Sequence, residues 1–181
     1  MVLSVTGFDM NKMFADGGVL VRKFLVIEPE KCTGCRICEL VCCFHHTREF
    51  NPKRARIAVL RDEENGINIP MVCQQCEVPL CEEACPTGAT YRDEKTGAIL
   101  IDEEKCIGCR MCIYACPFGG PSIDPFTMMT IKCDLCGGAP QCVKYCPRKA
   151  VEYLKADKVG IMRKKVSAEK ISKMITQGWA Y

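Results

Sequence analysis

Apolar and polar positions along this chain fall into short segments rather than long amphipathic stretches. Val19 to Ile27 alternates loosely and is rich in β-branched and aromatic residues, which predicts a strand. Arg36 to about His46 contains no Gly or Pro and predicts a short helix. Arg56–Leu60 and Gly66–Val72 flank Arg61-Asp-Glu-Glu-Asn65-Gly66, and Asn-Gly between strand-like segments predicts a hairpin. Gly88–Arg92 and Ala98–Asp102 predict a second hairpin, around Asp93-Glu-Lys-Thr-Gly97. Ala150–Leu154 and Lys158–Met162 predict a third, around Ala156-Asp157. Residues 117–131, with Pro117, Gly119, Gly120, Pro121 and Pro125, read as irregular connection. At the amino end, Met10, Met13 and Phe14 before Gly17-Gly18 predict one amphipathic turn in an arm. At the carboxyl end, Ser167 caps a helix striped by Ile171, Met174 and Ile175 and stopped by Gly178.

Cysteine interrupts these segments, 17 times in 181 residues. The run Cys106-Ile-Gly-Cys109-Arg-Met-Cys112-Ile-Tyr-Ala-Cys116-Pro117 has the spacing C-x2-C-x2-C-x3-C-P. With that spacing three thiolates wrap one [4Fe-4S] cube and the fourth reaches a neighbouring cube, so the run predicts a pair of clusters. Two-residue gaps let the backbone curl round a compact inorganic core, with Gly108 supplying the φ that the turn needs. Cys32, Cys35, Cys38 and Cys42 repeat the spacing, with Cys43 where the proline stands. Cys73, Cys76, Cys81 and Cys85-Pro86 widen the middle gap to four residues, and Cys133, Cys136, Cys142 and Cys146-Pro147 widen it to five. Four quartets predict four cubes. Cys43, about 100 degrees round the helix from Cys42, reads as a small packed hydrophobe rather than a ligand. His45 and His46 read as surface side chains or hydrogen-bond partners beside a cube, and Met128 and Met129 as gap-fillers beside a cluster or a partner.

Other chemistries fit the pattern less well. Cysteines this close in sequence rarely meet the geometry of a disulfide. C-x2-C pairs also hold zinc, but zinc needs neither a third cysteine at the same interval nor a trailing C-x3-C-P. An oxidised cube with four thiolates carries about −2, so four cubes take the chain from a formal +3 to roughly −5. Arg36, Lys105, Arg110 and Lys132 beside the runs read either as groups tuning the clusters or as solvated surface charge. No basic run is interleaved with aromatics, which argues against nucleic acid. No segment approaches the ~20 apolar residues of a membrane span, and Met1–Leu25 lacks the pattern of a signal peptide. The expected compartment is the cytoplasm, unless a partner's export signal carries both chains.

Lys31-Cys-Thr-Gly-Cys35, Cys73-Gln-Gln-Cys76, Cys85-Pro-Thr-Gly-Ala89, Lys105-Cys-Ile-Gly-Cys109, Cys116-Pro-Phe-Gly119 and Lys132-Cys-Asp-Leu-Cys136 carry a family resemblance. Over residues 22–155 the chain resembles the four-cluster, ferredoxin-like electron-transfer subunits of molybdopterin and tungstopterin oxidoreductases, whose relatives also serve hydrogenases and carbon monoxide dehydrogenases. Its compact size makes it similar to subunits paired with tungsten aldehyde oxidoreductase-type enzymes, including the benzoyl-CoA reductase branch. The resemblance implies an α+β fold of two nested bacterial two-cluster ferredoxin-like modules with short hairpins and short helices. The expected division is an arm over 1–20, an outer module over 21–55 and 125–162, an inner module over 56–124, and a partner-docking helical tail over 163–181.

The resemblance further implies four ligand sets. These are Cys73, Cys76 and Cys81 with Cys116; Cys106, Cys109 and Cys112 with Cys85; Cys32, Cys35 and Cys38 with Cys146; and Cys133, Cys136 and Cys142 with Cys42. It implies passage of single electrons between a catalytic pterin enzyme subunit and a second redox partner, with a hydrogenase or carbon monoxide dehydrogenase as the alternative setting. An enzyme in its own right finds no support in the residues: there is no C-x3-C-x2-C radical motif, no G-x-G-x-x-G loop and no P-loop. A zinc scaffold is the remaining alternative.

Overall fold

The computed structural model describes residues 22–177, apart from the side chains of Arg163, Lys170, Met174 and Gln177. The amino-terminal turn at Met10, Met13 and Phe14, the Met174 side chain of the carboxy-terminal stripe and the stop at Gly178 lie outside the described residues. Helices and small sheets alternate along the chain. The strands are β1 (Lys23–Ile27), β2 (Ile57–Asp62), β3 (Ile67–Val72), β4 (Thr90–Arg92), β5 (Ile99–Ile101), β6 (Ser122–Ile123), β7 (Thr130–Ile131) and β8 (Val151–Lys155). The helices are α1 (Ile37–Thr47), α2 (Leu80–Glu83), α3 (Met111–Tyr114), α4 (Gln141–Lys144) and α5 (Ala156–Gln177). None of these is long and apolar enough to cross a membrane.

All strands pair in twos and antiparallel: β1 with β8, β2 with β3, β4 with β5 and β6 with β7. The hairpins expected on either side of Asn65-Gly66 and Gly97 are β2–β3 and β4–β5. The third expected hairpin is absent. β8 instead pairs with β1, in the register Leu25↔Tyr153, and α5 begins at Ala156, where the turn was expected. Ala156-Asp157 offers no Asn-Gly or Pro signal, and most of the residues that follow are adequate helix formers, so Gly160 is carried at a cost of about 1 kcal/mol. The expected boundary between 162 and 163 therefore falls inside one helix. Residues 117–131 are more ordered than expected, because they form the small β6–β7 hairpin. The Asp124 carboxylate accepts from Phe126 N–H at 2.9 Å in its turn, and Met128 is exposed there with a left-handed backbone.

Helix length follows from one residue. α2, α3 and α4 each span four residues and stop just before Cys85-Pro86, Cys116-Pro117 and Cys146-Pro147. Proline disfavours helical backbone in the residue before it and brings no N–H. In the first run Cys43 supplies that N–H, and α1 continues to Thr47, closed by Arg48 in a left-handed conformation. Cys43 itself is fully buried and its thiol donates to the Leu40 carbonyl at 3.1 Å. The main core gathers Ile57, Val59, Val72, Leu135 and Val151 around Cys38, Cys42, Cys73, Cys133 and Cys142, while a small second core holds Cys81, Ile99 and Cys112.

Candidate metal centres

The sixteen cysteines of the four runs line four cavities, four to each. Cavity A, of about 350 Å³, is lined by Cys32, Cys35, Cys38 and Cys146, with Val59, Pro70 and Val151. Cavity B, of about 300 Å³, is lined by Cys42, Cys133, Cys136 and Cys142, with Ile57, Val72 and Leu135. Cavity C, of about 470 Å³, is lined by Cys73, Cys76, Cys81 and Cys116, with Ile99 and Lys132. Cavity D, of about 300 Å³, is lined by Cys85, Cys106, Cys109 and Cys112, with Ile107 and Thr130. Each collects three cysteines of one run and the last cysteine of another. α1 carries Cys38 to A and Cys42 to B, and α4 carries Cys142 to B while leading to Cys146 at A. α2 and α3 link C and D in the same way.

The donor set and its spacing test what these cavities fit. Four soft thiolates on a mostly apolar wall suit zinc or iron–sulfur. A zinc ion with four thiolates at about 2.3 Å draws its sulfurs to roughly 4 Å of one another. No three cysteine sulfurs of any quartet lie within 4.8 Å of one another, and among the described residues the only trio of metal-binding side chains that close is His45, His46 and Cys136. The quartets are spread for a multi-atom core.

Backbone geometry prepares the runs for an anion. Gly34 and Arg36, Gly108 and Arg110, Gln75, and Leu135 and Cys136 all take positive φ within the cysteine loops. Such residues turn backbone N–H groups into anion-binding concavities. A methyl group on Gly108 would meet nothing within 4 Å, so its φ of +67° rather than close approach is what calls for glycine. The last cysteine of each run also receives hydrogen bonds: Arg56 N–H to Cys42 Sγ at 3.3 Å, Gly120 N–H to Cys116 Sγ at 3.3 Å, and Ala150 N–H to Cys146 Sγ at 3.2 Å. At Cys85, burial raises the thiol pKa, but hydrogen bonds from Thr90, Thr87 and Ala89 outweigh it and hold the thiol down at about 7. At four thiols of the main core burial dominates. It pushes Cys38 up to about 12, Cys42 to about 11 and Cys142 to about 12, and raises Cys133 further still. Thiols this reluctant to ionise need a cation to hold them as thiolates.

The flanking charges separate into two kinds. Lys132 is buried beside cavity C, where its ammonium donates to the Ile99 carbonyl and partly offsets the burial that raises the Cys81 thiol pKa. Lys105 is surface charge, paired with Asp102 at 3.3 Å. Arg36 is exposed, and Arg110 is half-buried. His46 lies beside cavity B, with Nε2 4.0 Å from Cys136 Sγ and 3.5 Å from Asp134 Oδ1. Burial, with the Arg56 charge, lowers its pKa to about 4, so the ring is neutral near pH 7.

Several supports were missed by sequence reasoning. Gln75, buried, accepts from Ile99 N–H at 2.7 Å and donates to the Cys133 carbonyl at 2.8 Å, tying cavity C to cavity B. Arg22 donates to the Gln75 carbonyl at 2.7 Å, and Arg92 to the Cys76 and Glu77 carbonyls at 2.8 and 2.9 Å. These two guanidinium groups hold the widened gap of the second run in place. Buried Glu39 accepts from Val59 N–H and so pins α1 to β2. The signal for Gln75 was its place between two ligands; the others had none.

Residues 66–156 match the family model of a 4Fe-4S dicluster domain, and residues 29–45 that of a 4Fe-4S binding domain. An aliphatic sulfonate oxidoreductase, polyferredoxin-like subunit, of Pyrococcus furiosus is 44% identical over 134 residues, 74% of this chain and 77% of that one. The chain belongs to the 4Fe-4S dicluster family. Further relatives are similar to this dicluster protein over most of their length. The thiosulfate reductase electron transfer subunit of Salmonella typhi is 32% identical, covering 80% of this chain and 82% of that one. A subunit of the anaerobic dimethyl sulfoxide reductase of Escherichia coli is 35% identical over 70% of each. Among solved structures, a chain of the active-site complex of benzoyl-coenzyme A reductase covers 83% of this dicluster protein and 96% of its own length, at 24% identity and a TM-score of 0.45. The dicluster match ends at residue 156, where α5 begins.

Proposed function

We propose that this protein conducts single electrons through four [4Fe-4S] clusters, one in each of cavities A to D, between a catalytic oxidoreductase subunit and a second redox partner. The observation that carries this reading is the set of four cysteine quartets whose sulfurs are too far apart for one ion and converge on mostly apolar cavities. The proposed ligands are Cys32, Cys35, Cys38 and Cys146 at A, Cys42, Cys133, Cys136 and Cys142 at B, Cys73, Cys76, Cys81 and Cys116 at C, and Cys85, Cys106, Cys109 and Cys112 at D. When bound, the clusters supply one-electron carriers. The chain's own residues hold the thiolates, exclude water with Val59, Ile57, Ile99 and their neighbours, and place N–H donors and the Lys132 ammonium where added negative charge develops.

Shared elements order the cavities A–B–C–D. α1 and α4 join A to B, Gln75 joins B to C, and α2 and α3 join C to D. Cys35 at A and Cys109 at D are the exposed cysteines, which makes A and D the ends of the series. In this reading runs two and three form an inner ferredoxin-like module, and runs one and four, closed by β1–β8, an outer one. A tungsten or molybdenum pterin enzyme fits as catalytic partner, given relatives that are named subunits of sulfonate, thiosulfate and dimethyl sulfoxide enzymes. Thiolates in ligand spacing favour the reducing cytoplasm as compartment. Reductive titration under argon tests the proposal: uptake of about four electrons per chain is expected, and a chain that takes up none is not an electron carrier.

A further inference from the structure

The formal +3 of the chain is not spread evenly. Residues 22–155 carry 18 basic and 18 acidic side chains and are neutral, and residues 1–21 carry one basic against two acidic. α5 carries six basic residues against Asp157 and Glu169, a net +4. With four oxidised clusters at about −2 each the body reaches about −8, so α5 is a cationic helix on an anionic carrier. It lies beyond the dicluster domain.

α5 packs against β1 and β8, and Val159, Met162 and Val166, spaced three and four apart, are half-buried. A second stripe, Ile161, Ala168, Ile171 and Ile175, repeats at intervals of seven, three and four and is exposed, with Ile161 at 58%, Ile171 at 56% and Ile175 at 71%. That spacing is the narrow seam of helix-on-helix packing. A helix that lies in a membrane interface needs a wider, uncharged apolar face opposite its charges, whereas Lys164, three residues after Ile161 and four before Ala168, falls on the same face as this stripe. A second copy of α5 would bring another +4 to the seam, and like charges on facing helices repel. An acidic helical surface is complementary in both shape and charge.

The position of α5 adds a direction. β8 runs directly into it, Val151 of β8 lines cavity A, and Ala150 N–H donates to Cys146 Sγ at that cavity. We propose that α5 is the docking helix for an acidic helical surface on the catalytic enzyme subunit, so that the A end of the series faces that enzyme and the D end serves the second redox partner. This proposal rests on the electron-transfer reading above.

The test uses the complex purified anaerobically through a tag on this chain and treated with a water-soluble carbodiimide, which joins lysine amines to carboxylates in contact. Lys158, Lys164, Lys165 and Lys173 are expected to link to Asp or Glu of the enzyme subunit. A chain with these four lysines changed to Glu, and separately one with Ile171→Asp and Ile175→Asp, should associate with the enzyme about tenfold or more weakly near 0.1 M salt. Both should keep the wild-type iron and sulfide content. Links only to the same chain's body or to a second copy would overturn the proposal. So would unchanged enzyme association in the variants, or charge-dependent binding to phosphatidylserine-containing vesicles alone. Absence of iron and sulfide from the wild-type chain would sink the electron-transfer reading by itself, whatever the cross-links show.

Discussion

Cavities A and B and cavities C and D are built from the same kind of cysteine run, but they sit in different surroundings. The walls of A and B are the main core: Cys38, Cys42, Cys133 and Cys142 are packed with Ile57, Val59, Val72, Leu135 and Val151, and are braced by the five- and six-residue strands of β1–β8 and β2–β3. D has Cys112 in a core of three buried residues, and C stands between the two cores, with Cys81 and Ile99 in the small one and Cys73 in the main one. The β4–β5 and β6–β7 hairpins beside them have strands of three and two residues. A ligand pattern therefore does not set the stability of its site. Where the same run is embedded in the hydrophobic core, cluster and fold stand or fall together; where it is held by short hairpins, one cluster is separable.

The sharpest way to break that comparison is to remove one thiolate on each side of it. Cys142→Ala should leave no soluble, folded chain, because cavity B lies inside the main core. Cys109→Ala, at an exposed position of cavity D, should give soluble protein with about twelve irons instead of sixteen. Iron analysis with circular dichroism decides this, and equal outcomes would erase the distinction. Next in size is Cys43→Pro, which gives the first run the proline of the other three. It should cut α1 short and cost about 3 kcal/mol or more, read from anaerobic thermal melts. Cys43→Ala, by contrast, should keep all the iron and cost about 1 kcal/mol.

Two smaller effects sharpen the picture. Lys132→Met removes a unit charge a few ångströms from cavity C, and should lower the potential of one cluster on the order of 100 mV while leaving the others in place. Redox titration followed by electron paramagnetic resonance checks it. The position three residues after each Cys-Pro cysteine takes positive φ, and it is Gly88, Gly119 and Lys149 in the three runs. Lys149→Gly should relieve left-handed strain and stabilise the chain by about 0.5 kcal/mol, read from the same thermal melts.

These regions also differ in how far they could be read from the residues. The four runs, α1, the hairpins at β2–β3 and β4–β5, and the packing role of Cys43 were legible, because each depends on neighbours a few positions away. The β1–β8 pairing was not: its partners lie at opposite ends of the body, and no local signal sets that register. The same gap produced the false hairpin after Leu154, since a strand whose partner is distant looks like one in need of an adjacent partner. Spacing alone did not say which runs meet; cavities A and B arise because α1 lies against α4, and C and D because α2 lies against α3. The Arg22 and Arg92 bonds to carbonyls of residues 75–77 were invisible for the same reason, as was the buried bridge made by Gln75.

The most direct test is the iron, acid-labile sulfide and zinc content of the full chain purified without oxygen. About sixteen irons and sixteen sulfides per chain, with no zinc, is the predicted result. Zinc without sulfide would contradict the account and leave a scaffold in place of an electron carrier.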